Sequence, residues 1–191
     1  MNVRAVSALV TGGSGGIGAA IVRSLAAAGH KVVFTHIGQQ AEAAALVEEL
    51  THAGFQASGL ESNCADEQSV NDLCAKVRPQ ILVHCAGITR DRAIWKQDTA
   101  DFDAVIGVNL RGAWLFTKAA ASVMRDCGWG RIIFLGSING SRGKFGQTTY
   151  AASKAGLIGL ARSVAKEMGR KGVTANVIEP GWIDTPMTLA V

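Results

Sequence analysis

The stretch TTYAASKAG (148–156) places a phenol four residues before an amine: Tyr150, the chain's only tyrosine, and Lys154. In a helix, residues i and i+4 share a face. A phenol serves as a proton donor at neutral pH only when its pKa, ordinarily about 10, comes down. An ammonium roughly 5 Å away, at an effective dielectric of about 20, contributes about 3 kcal/mol, enough to lower that pKa by about two. The positive end of the helix dipole acts in the same direction. The pair is readable as a proton donor and its electrostatic tuner. On its own the spacing more often marks a solvated tyrosine and lysine, so context must decide.

The context is supplied by three further features. Ser137 ends the apolar run RIIFLGS (131–137), at the carboxyl end of a predicted strand. Asn109 opens a predicted long helix. TGGSGGIG (11–18) lies between a predicted strand and a predicted helix, with Gly12, Gly16 and Gly18 spaced G-x-x-x-G-x-G. Glycines let the backbone turn with positive φ and approach a ligand closely. The helix start that follows offers unpaired N–H groups to a pyrophosphate. A hydride-transferring dinucleotide and a proton donor are together what carbonyl reduction requires.

These residues need elements to hold them, and the apolar pattern supplies them. Strands are predicted at SALVTG, 31–36, near 55–62, and at 80–87, 131–137 and 173–181. Helices are predicted over 16–28, 39–53, 66–77, near 99–107 and 109–126, and over 149–169. Continuous rather than alternating apolar strands imply burial on both faces. Strand–helix alternation implies a doubly wound parallel α/β sheet of about six strands, with ligands at the strand carboxyl ends. One Rossmann-type domain over 1–191 is expected.

The G-x-x-x-G-x-G turn resembles that of the short-chain dehydrogenase/reductase family, and the resemblance runs through nearly the whole chain. GITRDR (87–92), WGRII (129–133), GKFGQTTYAASKAGL (143–157) and VIEPGWIDTPM (177–187) are most similar to 3-oxoacyl-acyl-carrier-protein and acetoacetyl-CoA reductases. The resemblance implies Tyr150 as general acid, Ser137 orienting the carbonyl, and Lys154 tuning the tyrosine and holding the nicotinamide ribose. It implies Asn109 supporting a proton relay. For the cofactor it implies Gly12, Ser14, Gly15, Gly16, Ile17 and Gly18 at the pyrophosphate, with Asn63 and Cys64 near the adenine. Cys85, Ala86 and Gly87 (family N-N-A-G, here HCAG, with Cys85 in place of an asparagine) and Pro180, Gly181, Ile183 and Thr185 would line the nicotinamide side. Gln147 is either a substrate contact or a plain surface glutamine. Members of that family continue for some sixty residues more, so a substrate lid and a last strand are expected to be lacking here.

NAD-selective sites place an acid at the end of the second strand. His36 stands there, with no Asp or Glu beside it. It either bonds a 2′-phosphate or caps the strand. NADPH is expected over NADH, although Gly15 occupies a place where many NADP-binding relatives carry a basic residue. The loop 139–147, glycine-rich and basic, is expected to be mobile. Arg90, Arg92, Arg125, Arg170 and Lys171 are either solvated charges or contacts for CoA or an acidic carrier protein.

Composition fits an ordinary globular protein: 191 residues, 48% hydrophobic, 18% charged, net charge +4. No Lys/Arg run or zinc-finger spacing points to nucleic acid. Cys64, Cys74, Cys85 and Cys127 show no metal-ligand spacing and read as reduced thiols in the cytoplasm. No metal and no membrane span are expected. Helices 109–126 and 149–169 suit a homodimer or homotetramer, but their small residues could equally pack on the sheet.

Overall fold

The computed structural model describes residues 5–185 and Leu189. Six parallel strands form one sheet: β1 (Ser7–Thr11), β2 (Lys31–His36), β3 (Ala57–Glu61), β4 (Ile81–His84), β5 (Gly130–Leu135) and β6 (Val173–Ile178), in the order β3-β2-β1-β4-β5-β6. The order reverses between β1 and β4, which are paired Ala8↔Ile81 through Thr11↔His84. A crevice opens outside the carboxyl ends of strands at such a reversal. The doubly wound architecture is therefore as expected. The third, fourth and sixth strands are shorter than predicted, and residues beyond the ends of the fourth and sixth help build the site.

Helices cover both faces, so β1, β2 and β4 are buried on both sides. One apolar layer joins Val10, Phe34 and Val83 to Ala19 and Val22 of α1 (Gly16–Ala27) and Leu46 of α2 (Gln40–His52). The other joins Leu9, Leu82 and Ile132 to Leu73 of α3 (Glu67–Val77), Phe116 of α5 (Gly112–Cys127) and Leu157 of α7 (Thr148–Met168). Local signals start and stop these helices. Asp66 caps α3 by accepting from the Gln68 and Ser69 amides. Gly128, at φ 64°, ends α5 in the left-handed conformation that favours glycine.

Two expectations are corrected. The helices near 99–107 and 109–126 are one rod: α4 (Thr99–Ile106) runs through a π-turn (Gly107–Arg111) into α5. Gly107, Arg111 and Gly112 all keep right-handed helical angles, and nothing in the sequence breaks the run. Asn109 therefore sits in a π-turn rather than at a helix start. The segment 139–147 is not simply a loop, because Ile138–Arg142 forms a short helix, α6. Ser137 caps it by accepting from the Asn139 amide, and Arg142 Nε donates to Asn139 Oδ1. Among the described residues, no helix is long and apolar enough to cross a membrane.

Candidate active site

A cavity of about 350 Å³ lies at the carboxyl ends of β1, β4 and β5. It brings together Gly12, Gly15, Gly16, Ile17 and Gly18 from the glycine turn, and Cys85, Ala86 and Gly87 from the segment after β4. Ser137, Tyr150 and Lys154 join them from β5 and α7, with Pro180, Gly181, Ile183 and Thr185 from the turn after β6. Pro186 and Met187 of that turn lie outside the described residues. Gln39, Leu135 and Gly136 also line the cavity and were not singled out in the sequence.

The glycine turn is shaped by close approach. A Cβ on Gly12 would meet Ala86 N and Cα at 2.9 Å, and Gly12 itself has φ +63°. A Cβ on Gly18 would fall 2.1 Å from the Gly12 carbonyl oxygen. These contacts bring the first turn of α1 up against the cavity. The N-cap of that helix is Gly15, in extended backbone and with no side-chain oxygen to satisfy the first amides. Those amides and the positive helix end suit a pyrophosphate. Thr185 closes over the turn, with its Cγ2 3.3 Å from where a Gly16 Cβ would stand. The residues present therefore fit a dinucleotide.

At the other end of the cavity the candidate reacting groups gather. Lys154 is almost wholly buried, and its Nζ donates to the Leu135 carbonyl at 2.7 Å. Nζ lies 5.6 Å from the centroid of the Tyr150 ring. Burial pushes the ammonium down to about 8, with Cys85 acting weakly the other way. Tyr150 is pushed up from its usual value of 10, first by burial. A hydrogen bond with Ser137 opposes this, and the Asp91 carboxylate adds to it. This corrects the sequence expectation of a phenol lowered by Lys154. Burial weakens the ammonium and desolvates the phenol together.

Ser137 Oγ accepts from the Asn139 amide at 3.2 Å, and its own hydrogen bond runs to Tyr150. Asn109 is fully buried beside the cavity rather than in its lining. Its Oδ1 accepts from the Ile88 amide at 2.8 Å, and its Nδ2 donates to the Ile88 carbonyl and to Ser153 Oγ, both at 3.0 Å. It braces the segment after Gly87. A Cβ on Gly87 would stand 3.3 Å from Lys154 Nζ and 3.4 Å from Asn109 Oδ1, so all three crowd one spot.

Several expected contacts fall elsewhere. Gln147 is buried and engaged at both ends: Oε1 accepts from Asn139 Nδ2 at 2.8 Å, and Nε2 donates to Asp91 Oδ2 at 2.6 Å. It is a brace between two loops rather than a free substrate contact. Cys64 is buried in the core, its thiol pushed up to about 11, so its side chain does not face the cavity. Asn63 is exposed, and its Oδ1 turns back to accept from the Ala65 amide. His36 is buried at the end of β2, outside the cavity lining. Ser14 reaches the site through Gln39, donating to its Oε1 at 2.6 Å. Arg90 and Arg92 both lie against Asp101, and Arg125 pairs with Asp126. Among the described residues no group of acids, histidines and cysteines could hold a metal.

A doubly wound sheet with a glycine turn at one end of its crevice and a Ser–Tyr–Lys cluster at the other defines a dinucleotide-dependent oxidoreductase. Comparison with known proteins sharpens this: the short chain dehydrogenase family model matches residues 6–191. The chain is 41% identical over 189 residues to an acetoacetyl-CoA reductase of Cupriavidus necator, covering 96% of this chain and 77% of the relative. It is equally similar, with the same coverage, to nodulation protein G of Azospirillum brasilense. It is 42% identical over 190 residues to the 3-oxoacyl-[acyl-carrier-protein] reductase MabA of Mycobacterium avium, covering 97% of this chain and 70% of that protein. The chain belongs to the short-chain dehydrogenase family and is an NAD(P)-dependent oxidoreductase.

Proposed function

We propose that the protein reduces a 3-oxoacyl thioester, linked to CoA or an acyl carrier protein, to the 3-hydroxyacyl thioester at the expense of NADPH, with Tyr150 as general acid. The observation that carries the reading is the convergence of Ser137, Tyr150 and Lys154 on one end of a cavity whose other end is the glycine turn. The names of the relatives support the thioester. Support for NADPH comes from the end of β2, where His36 is followed by Ile37, Gly38 and Gln39 with no carboxylate among them. Glu61, the cross-strand neighbour of His36, is exposed and accepts from Gln40 Nε2 at 3.3 Å.

The bound reduced nicotinamide would supply the hydride that adds to the ketone carbon. As the C=O π electrons move onto oxygen, the Tyr150 hydroxyl gives that oxygen its proton. Ser137, already accepting from the Asn139 amide, donates its hydrogen to the same oxygen and fixes the ketone's orientation. Lys154 would hold the cofactor ribose and place positive charge near the phenolate left on Tyr150. Asn109 holds the wall of the site through Ile88 and Ser153. We place the homo-oligomer interface on α5 and α7, where Trp114 is half-exposed and Gly159 faces open space.

The test is NADPH oxidation with acetoacetyl-CoA, repeated for Tyr150→Phe. Turnover in the parent, with a loss of about a thousandfold or more in a variant that still binds NADPH, is the expected result. NADPH binding with no turnover above the variant's would overturn the reading. A ketone panel separates thioester reduction from reduction of another carbonyl.

A further inference from the structure

His84 is the last residue of β4, and the cavity wall Cys85–Gly87 begins directly after it. Its ring is completely buried, which is unusual for an imidazole that takes no part in the chemistry above. In register it lies between Thr11 of β1 and Phe134 of β5. Phe116 of α5 packs against it, with ring centroids 6.2 Å apart. The charged group that faces it is Lys154, from α7.

The hydrogen bonds around the ring select one tautomer. Thr11 Oγ1 lies 3.0 Å from His84 Nδ1 and also accepts from the Ala86 amide at 3.1 Å. A hydroxyl has one hydrogen to give. With one lone pair taken by Ala86, the arrangement that leaves the fewest groups unpaired sends that hydrogen to Nδ1. The ring's own hydrogen then sits on Nε2. That nitrogen meets no acceptor in good hydrogen-bond geometry, and the Val108 carbonyl is the backbone acceptor that draws on the ring. Val108 belongs to the π-turn and precedes Asn109, and such turns often mark functional sites.

One ring therefore holds two parts of the site: the end of β1 beside Gly12 and, by way of Thr11, the Ala86 amide. Asn109 grips the same segment from its far side, at Ile88. Between the two grips lies Gly87, against which Lys154 Nζ and Asn109 Oδ1 both pack. Burial first, and Lys154 second, push the imidazole down to about 3, so it stays neutral wherever the enzyme works. That rules it out as a proton acceptor and leaves it a mechanical part.

We infer that His84 is a positioning residue, and that as the neutral Nε2–H imidazole it fixes, through Thr11, the Cys85–Gly87 wall of the cofactor cavity. The inference rests on the functional reading above, but its first test does not. In the ¹⁵N-labelled protein, the His84 ring signals are assigned by their loss in His84→Asn. We expect the Nε2–H tautomer, unchanged from pH 8 to 5. The Nδ1–H tautomer, or a titration in that range, overturns the inference whatever the protein catalyses. The second test compares His84→Asn and His84→Leu for NADPH affinity and for kcat with acetoacetyl-CoA. An asparagine can set its Oδ1 where Nδ1 stands and still accept from Thr11, so it should stay within about threefold of the parent. Leucine, which cannot accept, should weaken NADPH binding and lower kcat at least tenfold each, in protein folded by circular dichroism. Parent-like values in the leucine variant overturn the positioning role. Should that variant not fold, a His84→Asn protein that folds but loses tenfold in both does the same. A parent that binds NADPH but does not turn over acetoacetyl-CoA counts against the functional reading alone, and the tautomer and binding results still judge His84.

Discussion

Lys154 donates its Nζ hydrogen to the backbone carbonyl of Leu135, 2.7 Å away and two residues before Ser137. The bond ties α7 to the end of β5, so the lysine and the serine share one rigid support. It also holds a cation where almost no water reaches. Burial lowers the lysine from 10.5 to about 8. The unfolded chain therefore binds more protons between pH 8 and 10.5, and stability rises with pH across that window. Below pH 8 the full cost is present, about 3 kcal/mol at most. Lys154→Met should stabilise the protein at pH 7 by about 1–2 kcal/mol, after about 1 kcal/mol for the lost hydrogen bond. The gain should vanish as the pH approaches 10.5, while turnover is abolished. Urea unfolding at pH 7 and pH 10 measures it.

The pH dependence of the proposed reduction, with Tyr150 as its acid, follows from the same two shifts. Tyr150 must be protonated to donate, and burial raises its pKa. Lys154 must be charged, and it loses its proton near 8. The value of kcat/KM should be level from about pH 6 to 7.5 and fall above about 8, with Lys154 setting the first limb. A rate that climbs through pH 9 would contradict this. Ser137→Ala removes the hydrogen bond that holds the phenol's pKa down and removes a donor to the substrate oxygen. It should lower kcat by about a hundredfold or more.

The glycine turn, Ser137, Tyr150 and Lys154 were legible in the sequence because each lies next to a strand end or helix start that the apolar pattern already marks. Local spacing carries no such signal for Gln39, which reaches the cavity only because the β2–α2 connection turns back toward the glycine turn and pairs with Ser14. The π-turn around Asn109 was hidden for a related reason. A wider helical turn needs no special residue, so the sequence reads as a helix on both sides of it. Gln147 and Cys64 stand next to site residues along the chain, yet their side chains point to a brace and to the core. The raised phenol also could not be read from spacing. The Tyr–Lys separation is fixed by the helix, whereas the burial that raises the phenol depends on what the whole fold packs around it.

Asn109 makes three hydrogen bonds shielded from solvent in whole or in part, two of them to both backbone groups of Ile88. Asn109→Ala leaves the Ile88 amide and carbonyl without these partners. It should cost about 3 kcal/mol of stability. The loss should concentrate locally, with faster amide exchange at Ile88 and Thr89 than in the strands. Equal acceleration throughout the sheet would show that the bracing is not local.

Gln39 lines the cavity just after the end of β2 along the chain, where dinucleotide-binding folds meet the ribose 2′ position. His36, the sequence candidate for that contact, is buried outside the lining. Selectivity should therefore answer to Gln39. In Gln39→Glu, the Ser14 hydroxyl that now donates to Oε1 at 2.6 Å would hold a carboxylate in the same place. A unit charge about 5 Å from a 2′-phosphate, at an effective dielectric of about 20, costs about 3 kcal/mol before salt screening. NADPH should bind at least tenfold more weakly, and the effect should shrink at high salt. NADH, with a 2′-hydroxyl that a carboxylate can accept from, should bind as well as before or better. Titration of both cofactors against both proteins measures the change. Equal weakening of the two would mean that Gln39 does not face the 2′ position, and would leave His36 as the residue to substitute next.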